Sequence, residues 1–408
     1  MKCGLLGRVL GHSYSPQIHG LLGDYSYDLY EKEPEELEGF LRQGDFTGLN
    51  VTIPYKKDVM AFLDGLSPVA QKMGCVNTIL RREDGTLYGH NSDYYGFISL
   101  VKHSGIPVSG KKTLVLGSGG ASNTAVNALR DLGADPTVIS RSGENNYENL
   151  SLHRDASLIV NTTPLGMYPK TGVAPLDLRK FPHLEGVLDV VYNPAKTQLL
   201  LDAEALGIPH ENGLWMLVAQ AKESAEYFTG STIDDARIAD IHGKLKKQMG
   251  NIVLIGMPGC GKTTIGTALA QRLNRPFVDA DEQIISLAGK SIPEIFAQDG
   301  EDAFRAWETK ALDTLGKQSG LVIATGGGCV TRQENYPLLH QNGTIVCLQR
   351  DLRLLPKDGR PLSQRNSLEA MYQARRPMYE AFSDITVDNN GTLGDTVTTI
   401  LTSLEEAQ

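Results

Sequence analysis

The sequence predicts an α/β fold with parallel sheets, and three observations carry that expectation. Apolar strand-like runs alternate with amphipathic helical stretches almost throughout, as in TLVLG before TAVNALRDLG, and LIVNTTP ahead of GVLDVVY. That alternation is the pattern of parallel strands joined by crossover helices. A glycine-rich turn stands between a strand and a helix twice, in TLVLGSGGASNTAVNAL and again in NIVLIGMPGCGKTTIG. Finally, 408 residues are many for one core, so the length favours two or three domains.

The clearest internal boundary lies near Gly250. IDDARIADIHGKLKKQM reads as a terminal helix with basic residues in its last turn, Gly250 as its stop and Asn251 as the start of a new strand. The expected division is therefore 1–249 and 250–408, with no Pro- or Ser-rich linker between them. Hydrophobic residues at 41% and charged residues at 21% describe an ordinary globular chain. A net charge of −9 argues against a general nucleic-acid surface, which needs clustered Lys and Arg. The start, MKCGLLGRVLGHS, has no long apolar core or cleavage site, and no apolar run reaches the length of a membrane span. Five scattered cysteines, never spaced as CxxC, fit neither a disulfide framework nor a structural zinc site. A cytoplasmic protein with reduced thiols is expected.

The second glycine turn, Gly256 to Thr263, meets GxxxxGK[ST] at every fixed position and has the required strand before and helix after. In that setting the backbone N–H groups of Gly259, Cys260, Gly261, Lys262, Thr263 and Thr264, with the helix N-terminus, would surround the phosphates of ATP. Lys262 would add charge at the β/γ oxygens, and the Thr263 hydroxyl would bind Mg²⁺. Asp279 and Asp281 follow at a strand's end; Asp279 is expected near the metal, with helix capping as the alternative for both. Arg305 in FRAWE alone would be a solvated helix charge. Gly326, Gly327 and Gly328 directly follow an apolar strand and permit close backbone approach to a ligand, or a plain turn. Between Gln349 and Arg376 stand Arg350, Arg353, Lys357, Arg360, Arg365, Arg375 and Arg376. A solvated basic face is the alternative, but phosphoryl transfer needs such mobile cations over the γ-phosphate.

In this order over residues 251–408, GMPGCGKTT, DAD, FRAWE, GGG, GRPL and RRPMYE resemble shikimate kinase. The resemblance implies a P-loop α/β kinase domain. It implies Asp281, Arg305, Gly327 and Arg375 as shikimate contacts, with Arg360 on a lid against ATP. Two arginines can hold a carboxylate through forked hydrogen bonds, while Asp281 orients a ring hydroxyl for in-line attack. The segment LPKDGRPLSQRNS around Arg360 is shorter than is usual in the family.

The first turn, Gly117, Ser118, Gly119, Gly120, Ala121 and Ser122, has the first two glycines of GxGxxG, with Ser122 in place of the third. The next strand ends in Ser140, Arg141 and Ser142. An NAD site would place Asp or Glu there, whereas Arg141 suits a 2′-phosphate and hence NADP; a surface arginine is the alternative. Earlier strings offer hydroxyl and amide groups: Ser13 and Ser15 in HSYSP, Asn50 and Thr52 with Lys56 in NVTIPYK, Asn77 in CVNT, Asn91 and Asp93 in HNSD. Each alone could be turn chemistry or a cap. Together they suit a polyhydroxy carboxylate. Gly213 and Gln220 stand in ENGLWMLVAQA, where a lone Gln is more often a core amide.

Over residues 1–249 these strings closely resemble shikimate dehydrogenase. The resemblance implies a two-lobed α/β dehydrogenase, with a substrate lobe from 1–103 plus 213–249 and a Rossmann-like NADP lobe at 104–212. It implies Ser13, Ser15, Thr52, Asn77, Asp93, Gln220 and Tyr192 as substrate contacts, and Lys56 paired with Asp93 for proton transfer. NADP would lie on 117–122, 140–142 and Gly213. Ser92 stands where the family usually has Thr. SRSGENNYENLSLHRDAS is short and poor in helix formers, so a crossover helix is expected to be missing beside the adenosine end.

The two turns then serve consecutive steps on one metabolite: NADPH-dependent reduction of 3-dehydroshikimate, and ATP-dependent phosphorylation of shikimate. The expected protein is a bifunctional enzyme of aromatic amino-acid biosynthesis. One alternative is a kinase fused to a non-catalytic module sensing shikimate or quinate; the presence of both Lys56 and Asp93 argues against it. Another is an NAD-dependent quinate/shikimate dehydrogenase fused to the kinase, against which Arg141 argues.

Overall fold

The computed structural model describes residues 1–11, 13–355 and 368–406. The chain forms two compact units. One comprises Met1–Met167, Val173–Tyr192 and Leu199–Leu245; the other comprises Tyr168–Gly172, Asn193–Gln198 and Lys246–Gln408.

The first unit holds two sheets. Strands β1 (Lys2–Gly7), β2 (Ser26–Glu31), β3 (Gly48–Val51), β4 (Gly65–Leu66), β5 (Thr78–Arg81) and β6 (Leu87–His90) are ordered β2-β1-β3-β5-β6-β4. β1 pairs in parallel with both β2 and β3. β5, however, runs antiparallel to β3 and β6 antiparallel to β5, which corrects the expectation of parallel pairing at this place. Between β5 and β6 the cause is a tight turn. Gly85 adopts φ +84°, and the Arg82 N–H donates to the Thr86 carbonyl at 2.9 Å, closing a hairpin with no room for a crossover helix. The two reversals leave β6 pointing the same way as β3. The ends of β1, β3 and β6 and the start of β5 therefore meet at one edge.

The second sheet contains β7 (Lys112–Leu116), β8 (Asp135–Ile139), β9 (Leu158–Asn161), β10 (Gly186–Asp189) and β11 (His210–Glu211), ordered β11-β10-β9-β7-β8 and parallel throughout. Both faces are covered. Val115, Val160 and Leu188 pack with Phe97, Ala125 and Leu129, while Leu114, Leu116, Ile159 and Val187 pack on the other face with Leu199 and Leu200. Burying each of the Val, Leu, Ile and Phe side chains stabilises the fold by about 1.5–3 kcal/mol. From β8 to β9 the chain has no α-helix, only a short 3₁₀ turn at Leu150–His153, as the composition led us to expect. Asparagines organise that connection instead. Asn146 Nδ2 donates to the Gly143 carbonyl at 3.2 Å, and Asn149 Nδ2 to the Glu144 carbonyl at 2.8 Å. Such side chains offer the backbone partners that compete with a helix.

The second unit is built on β12 (Asn251–Ile255), β13 (Phe277–Asp279), β14 (Val322–Ala324), β15 (Gly343–Gln349) and β16 (Ile385–Asp388), ordered β13-β14-β12-β15-β16 and all parallel. Val253, Leu254, Val322, Ile323, Ile345 and Val346 form the centre of its core. The glycine turn after β12, Asp279 at the end of β13 and the three glycines after β14 share the carboxyl edge, where open parallel sheets bind ligands. Among the described residues no helix is long and apolar enough to cross a membrane, and all five cysteines are free and buried.

Candidate active sites

The edge where β1, β3, β5 and β6 meet brings Lys56 and Asp93 together. Lys56 Nζ donates to Asp93 Oδ2 at 2.5 Å, with the side chains 27% and 14% exposed. Strand order joins two residues 37 positions apart. Asp93 opens helix Asp93–Ser104 directly after β6, and the Lys56 carbonyl accepts from the Val76 N–H at 2.8 Å, just ahead of β5. Ser13 and Ser15 follow β1. The Ser13 hydroxyl accepts from the Ser15 N–H at 3.2 Å. Thr52, half-buried at the end of β3, donates its N–H to the Leu6 carbonyl at 2.9 Å.

Behind these groups lies a buried hydroxyl–amide network. Asn77 Oδ1 accepts from the Ser92 N–H at 2.7 Å, and Asn77 Nδ2 donates to Ser92 Oγ at 3.0 Å. Asn50 proves to be part of this support. It is 4% exposed, and its amide accepts from Tyr27 at 2.8 Å and donates to Ser224 at 2.8 Å. Ser224, which sequence reasoning missed, also lies 2.8 Å from Thr78 Oγ1 and 2.9 Å from Ser92 Oγ. Its signal was the helical period, since it stands one turn beyond Gln220 on helix Leu214–Thr229. Gln220 donates to the Leu217 carbonyl at 2.8 Å and sits 3.5 Å from Ser92 Oγ. Gly96 lets that helix approach, because a Cβ there would lie 2.9 Å from both Gln220 Cβ and the Met216 carbonyl. The Tyr192 ring meets Tyr14 edge-on at 6.3 Å, and burial pushes its hydroxyl up from the usual phenol range.

The loop after β7 tests the fit of a dinucleotide. Gly117 has φ +111°, and a Cβ there would lie 2.9 Å from Thr162 Oγ1. At Gly119 and Gly120 a Cβ would meet nothing within 4 Å, so this face is open to a pyrophosphate against the N-terminus of helix Gly120–Asp131. Ser122 does not simply fill the third glycine's place: its Oγ donates to the Gly117 carbonyl at 2.7 Å and ties the loop's two ends. Arg141 is exposed after β8, beside half-buried Ser140 and near Tyr147. Gly213 has a packing reason to be glycine, since a Cβ would lie 2.0 Å from the Val190 carbonyl oxygen.

In the second unit the loop Gly256–Gly261 leads into helix Lys262–Leu273, with φ +138° at Gly256, +84° at Gly259 and +101° at Gly261. These left-handed values are open to glycine alone at low cost. Lys262 is 8% exposed and bonds the carbonyls of Gly256 at 2.9 Å and Met257 at 3.0 Å. A buried ammonium needs acceptors, and the loop supplies them; phosphate oxygens are the stronger replacement. Thr263 Oγ1 donates to Asp279 Oδ2 at 3.0 Å. One hydroxyl and one carboxylate suit Mg²⁺, which takes few protein ligands and completes its shell with phosphate oxygens and water. Asp279 Oδ1 also accepts from the Asp281 N–H at 3.0 Å, so Asp279 is a helix cap as well.

Asp281 faces the glycines after β14. A Cβ on Gly326 would lie 3.3 Å from Asp281 Oδ1 and 2.7 Å from Glu308 Oε1, so the missing side chain keeps a space between two carboxyl groups. Glu308 is 1% exposed, and burial pushes its carboxyl up while Arg305 opposes the shift. Arg305 Nη1 donates to Glu308 Oε2 at 2.7 Å, and its guanidinium lies against Gly328. Arg375 Nη1 donates to the Gly327 carbonyl at 3.0 Å, and the Tyr379 hydroxyl reaches the same oxygen at 2.5 Å. Gly327 itself admits no side chain, because a Cβ would lie 2.7 Å from the Pro258 ring. Glu308 and Tyr379 were missed in the sequence; each stands one helical turn beyond a noted arginine. Arg360 lies outside the described residues.

The family model for shikimate kinase matches residues 258–405, and that for the shikimate dehydrogenase substrate binding domain matches residues 5–79. The shikimate dehydrogenase (NADP(+)) of Clostridium perfringens strain SM101 is 35% identical over 266 residues, covering 60% of this chain and 97% of that protein. Among solved structures, the chain is similar to shikimate dehydrogenase 1 from Peptoclostridium difficile, with 37% identity and a TM-score of 0.55, covering 60% of this chain and 97% of that one. It is also similar to shikimate 5-dehydrogenase from Thermus thermophilus in complex with NADP(H) and shikimate, with 33% identity and a TM-score of 0.55, covering 60% of this chain and 99% of that one.

Proposed function

The chain belongs to the shikimate dehydrogenase family and carries a shikimate kinase domain behind it, and on that premise we propose that it performs two consecutive reactions on one metabolite. The first reduces 3-dehydroshikimate to shikimate with NADPH; the second phosphorylates shikimate to shikimate 3-phosphate with ATP and Mg²⁺. The observation that carries the first reaction is the Lys56–Asp93 pair at 2.5 Å, because a module that only sensed its ligand has no need of a proton donor held by a carboxylate. NADPH, when bound, supplies the hydride. Lys56 gives its proton to the carbonyl oxygen that gains charge, and Asp93 holds the ammonium in place. Ser13, Ser15, Thr52, Asn77, Tyr192 and Gln220 bind the hydroxyl and carboxylate groups of the substrate.

In the second unit the nucleotide supplies the phosphoryl group. Lys262 and the loop N–H groups take the phosphates, and Thr263 with Asp279 takes the metal. Asp281 accepts the proton of the attacking hydroxyl. Arg305 and Arg375 hold the substrate carboxylate, with Gly327 at its side. Five free, buried thiols favour a cytoplasmic setting. A coupled assay tests the whole reading: 3-dehydroshikimate, NADPH, ATP and Mg²⁺ should yield shikimate 3-phosphate from this one chain. Consumption of NADPH with shikimate as the end product would remove the second reaction.

Cofactor choice gives a narrower test. Arg141→Ala removes a charge-assisted contact to the 2′-phosphate, which costs about 1.5–3 kcal/mol, or roughly tenfold or more in affinity. KM for NADPH should rise by that factor while KM for NADH stays nearly constant. An unchanged ratio between the two cofactors would take Arg141 out of the site.

A further inference from the structure

We propose that Asn389 is a positioning residue for the nucleotide loop, holding the peptide between Cys260 and Gly261 so that its N–H faces the phosphates. The inference rests on the reading of Gly256–Thr263 as the ATP site. Asn389 is 5% exposed and follows β16, where its own N–H donates to the Gln349 carbonyl at 2.7 Å and fixes its backbone. Its Nδ2 donates to the Cys260 carbonyl at 2.6 Å, and its Oδ1 accepts from Thr396 Oγ1 at 2.8 Å, on helix Leu393–Glu406. The orientation of the amide is set by chemistry. A carbonyl only accepts, so the nitrogen must face Cys260 and the oxygen must face the threonine.

The consequence lies in the geometry of one peptide. The carbonyl and N–H of a trans peptide point in opposite directions. With the Cys260 carbonyl turned toward Asn389, the Gly261 N–H is turned away from it, among the loop donors that open helix Lys262–Leu273. Gly261 sits at φ +101°, and glycine tolerates the alternatives on both sides of the map, so the glycine side of that peptide offers little resistance to a flip. A flip would aim a carbonyl oxygen at a phosphate. Asn389 opposes it from outside the loop, and Thr396 keeps Asn389 from turning. The fit is close: a Cβ at Gly261 would lie 2.8 Å from Asn389 Nδ2.

The test is calorimetric titration of the full chain with ADP–Mg²⁺. Asn389→Ala should weaken binding about tenfold and Thr396→Val about threefold, in line with the loss of one hydrogen bond and of its support. Asn389→Asp should weaken it further, because two oxygens would then face each other. Thr396→Ser keeps the hydroxyl and should keep the affinity. KM for shikimate and NADPH-dependent reduction should not change in any of them. Unchanged ADP affinity in Asn389→Ala, beside a lowered unfolding midpoint, would make Asn389 a core amide and overturn the proposal. If Asn389 variants do not fold, equal affinities in Thr396→Val and Thr396→Ser overturn it as well. A wild-type chain that binds no ADP would instead remove the ATP-site reading beneath it.

Discussion

Lys56→Ala is expected to lower kcat for reduction of 3-dehydroshikimate about 10²–10⁴-fold, the usual worth of a positioned proton donor. The reacting oxygen gains charge as hydride arrives, and a donor at hydrogen-bond distance keeps that charge from building up. Lys56 is suited to this because its ammonium is fixed by Asp93 at 2.5 Å yet its side chain stays 27% exposed. Lys56→Arg separates the two properties of the group. Arginine retains the charge but does not give up a proton in a protein, so it should restore substrate binding and leave kcat low. KM should change less than kcat in both variants. Phosphorylation of added shikimate should continue, because the kinase sheet has its own core. Steady-state kinetics of both reactions on each variant decide the matter. A near-normal kcat in Lys56→Ala would reduce the pair to a structural ion pair.

The two glycine loops were legible because each is a contiguous string, whose strand, turn and helix succeed one another along the chain. Lys56 and Asp93 were legible as a pair through the resemblance, but their contact depends on β5 and β6 reversing direction, which the general expectation of parallel sheets did not include. Its signal was present in the Asp84–Gly85 turn between two short apolar runs. Ser224, Glu308 and Tyr379 were missed although each stands one helical turn from a residue that was singled out, because a polar side chain on a helix reads as solvated until its face is known. Asn389 could not have been found in this way. Its partner Cys260 is 129 residues earlier, and only the order of β12, β15 and β16 in the third sheet brings them together. The loop between β8 and β9 is the converse case: a run of Asn, Ser and Gly was enough to exclude a helix, since those side chains bond the backbone locally.

Asp281→Asn should leave ADP–Mg²⁺ affinity nearly unchanged and lower the rate of phosphoryl transfer to shikimate by about 10²-fold or more. The nucleotide side should survive because the group proposed for the metal is its neighbour: Asp279 Oδ2 accepts from Thr263, and Asp279 Oδ1 caps the helix through the Asp281 N–H, a backbone bond that the substitution keeps. The substrate side should fail because the Asp281 carboxyl borders the space over Gly326, opposite Glu308. Asparagine preserves the shape there but can neither carry the charge nor accept a proton. Glu308, across that space, is tied to Arg305 through its other oxygen at 2.7 Å. Asp279→Asn gives the contrasting result, a raised Mg²⁺ requirement with the proton acceptor intact. Both variants should still reduce 3-dehydroshikimate with NADPH. Nucleotide affinity measured beside the kinase rate separates the roles: full activity in Asp281→Asn would leave Asp281 as part of a helix N-terminus, and the shikimate hydroxyl would have to be sought elsewhere on the carboxyl edge of the sheet.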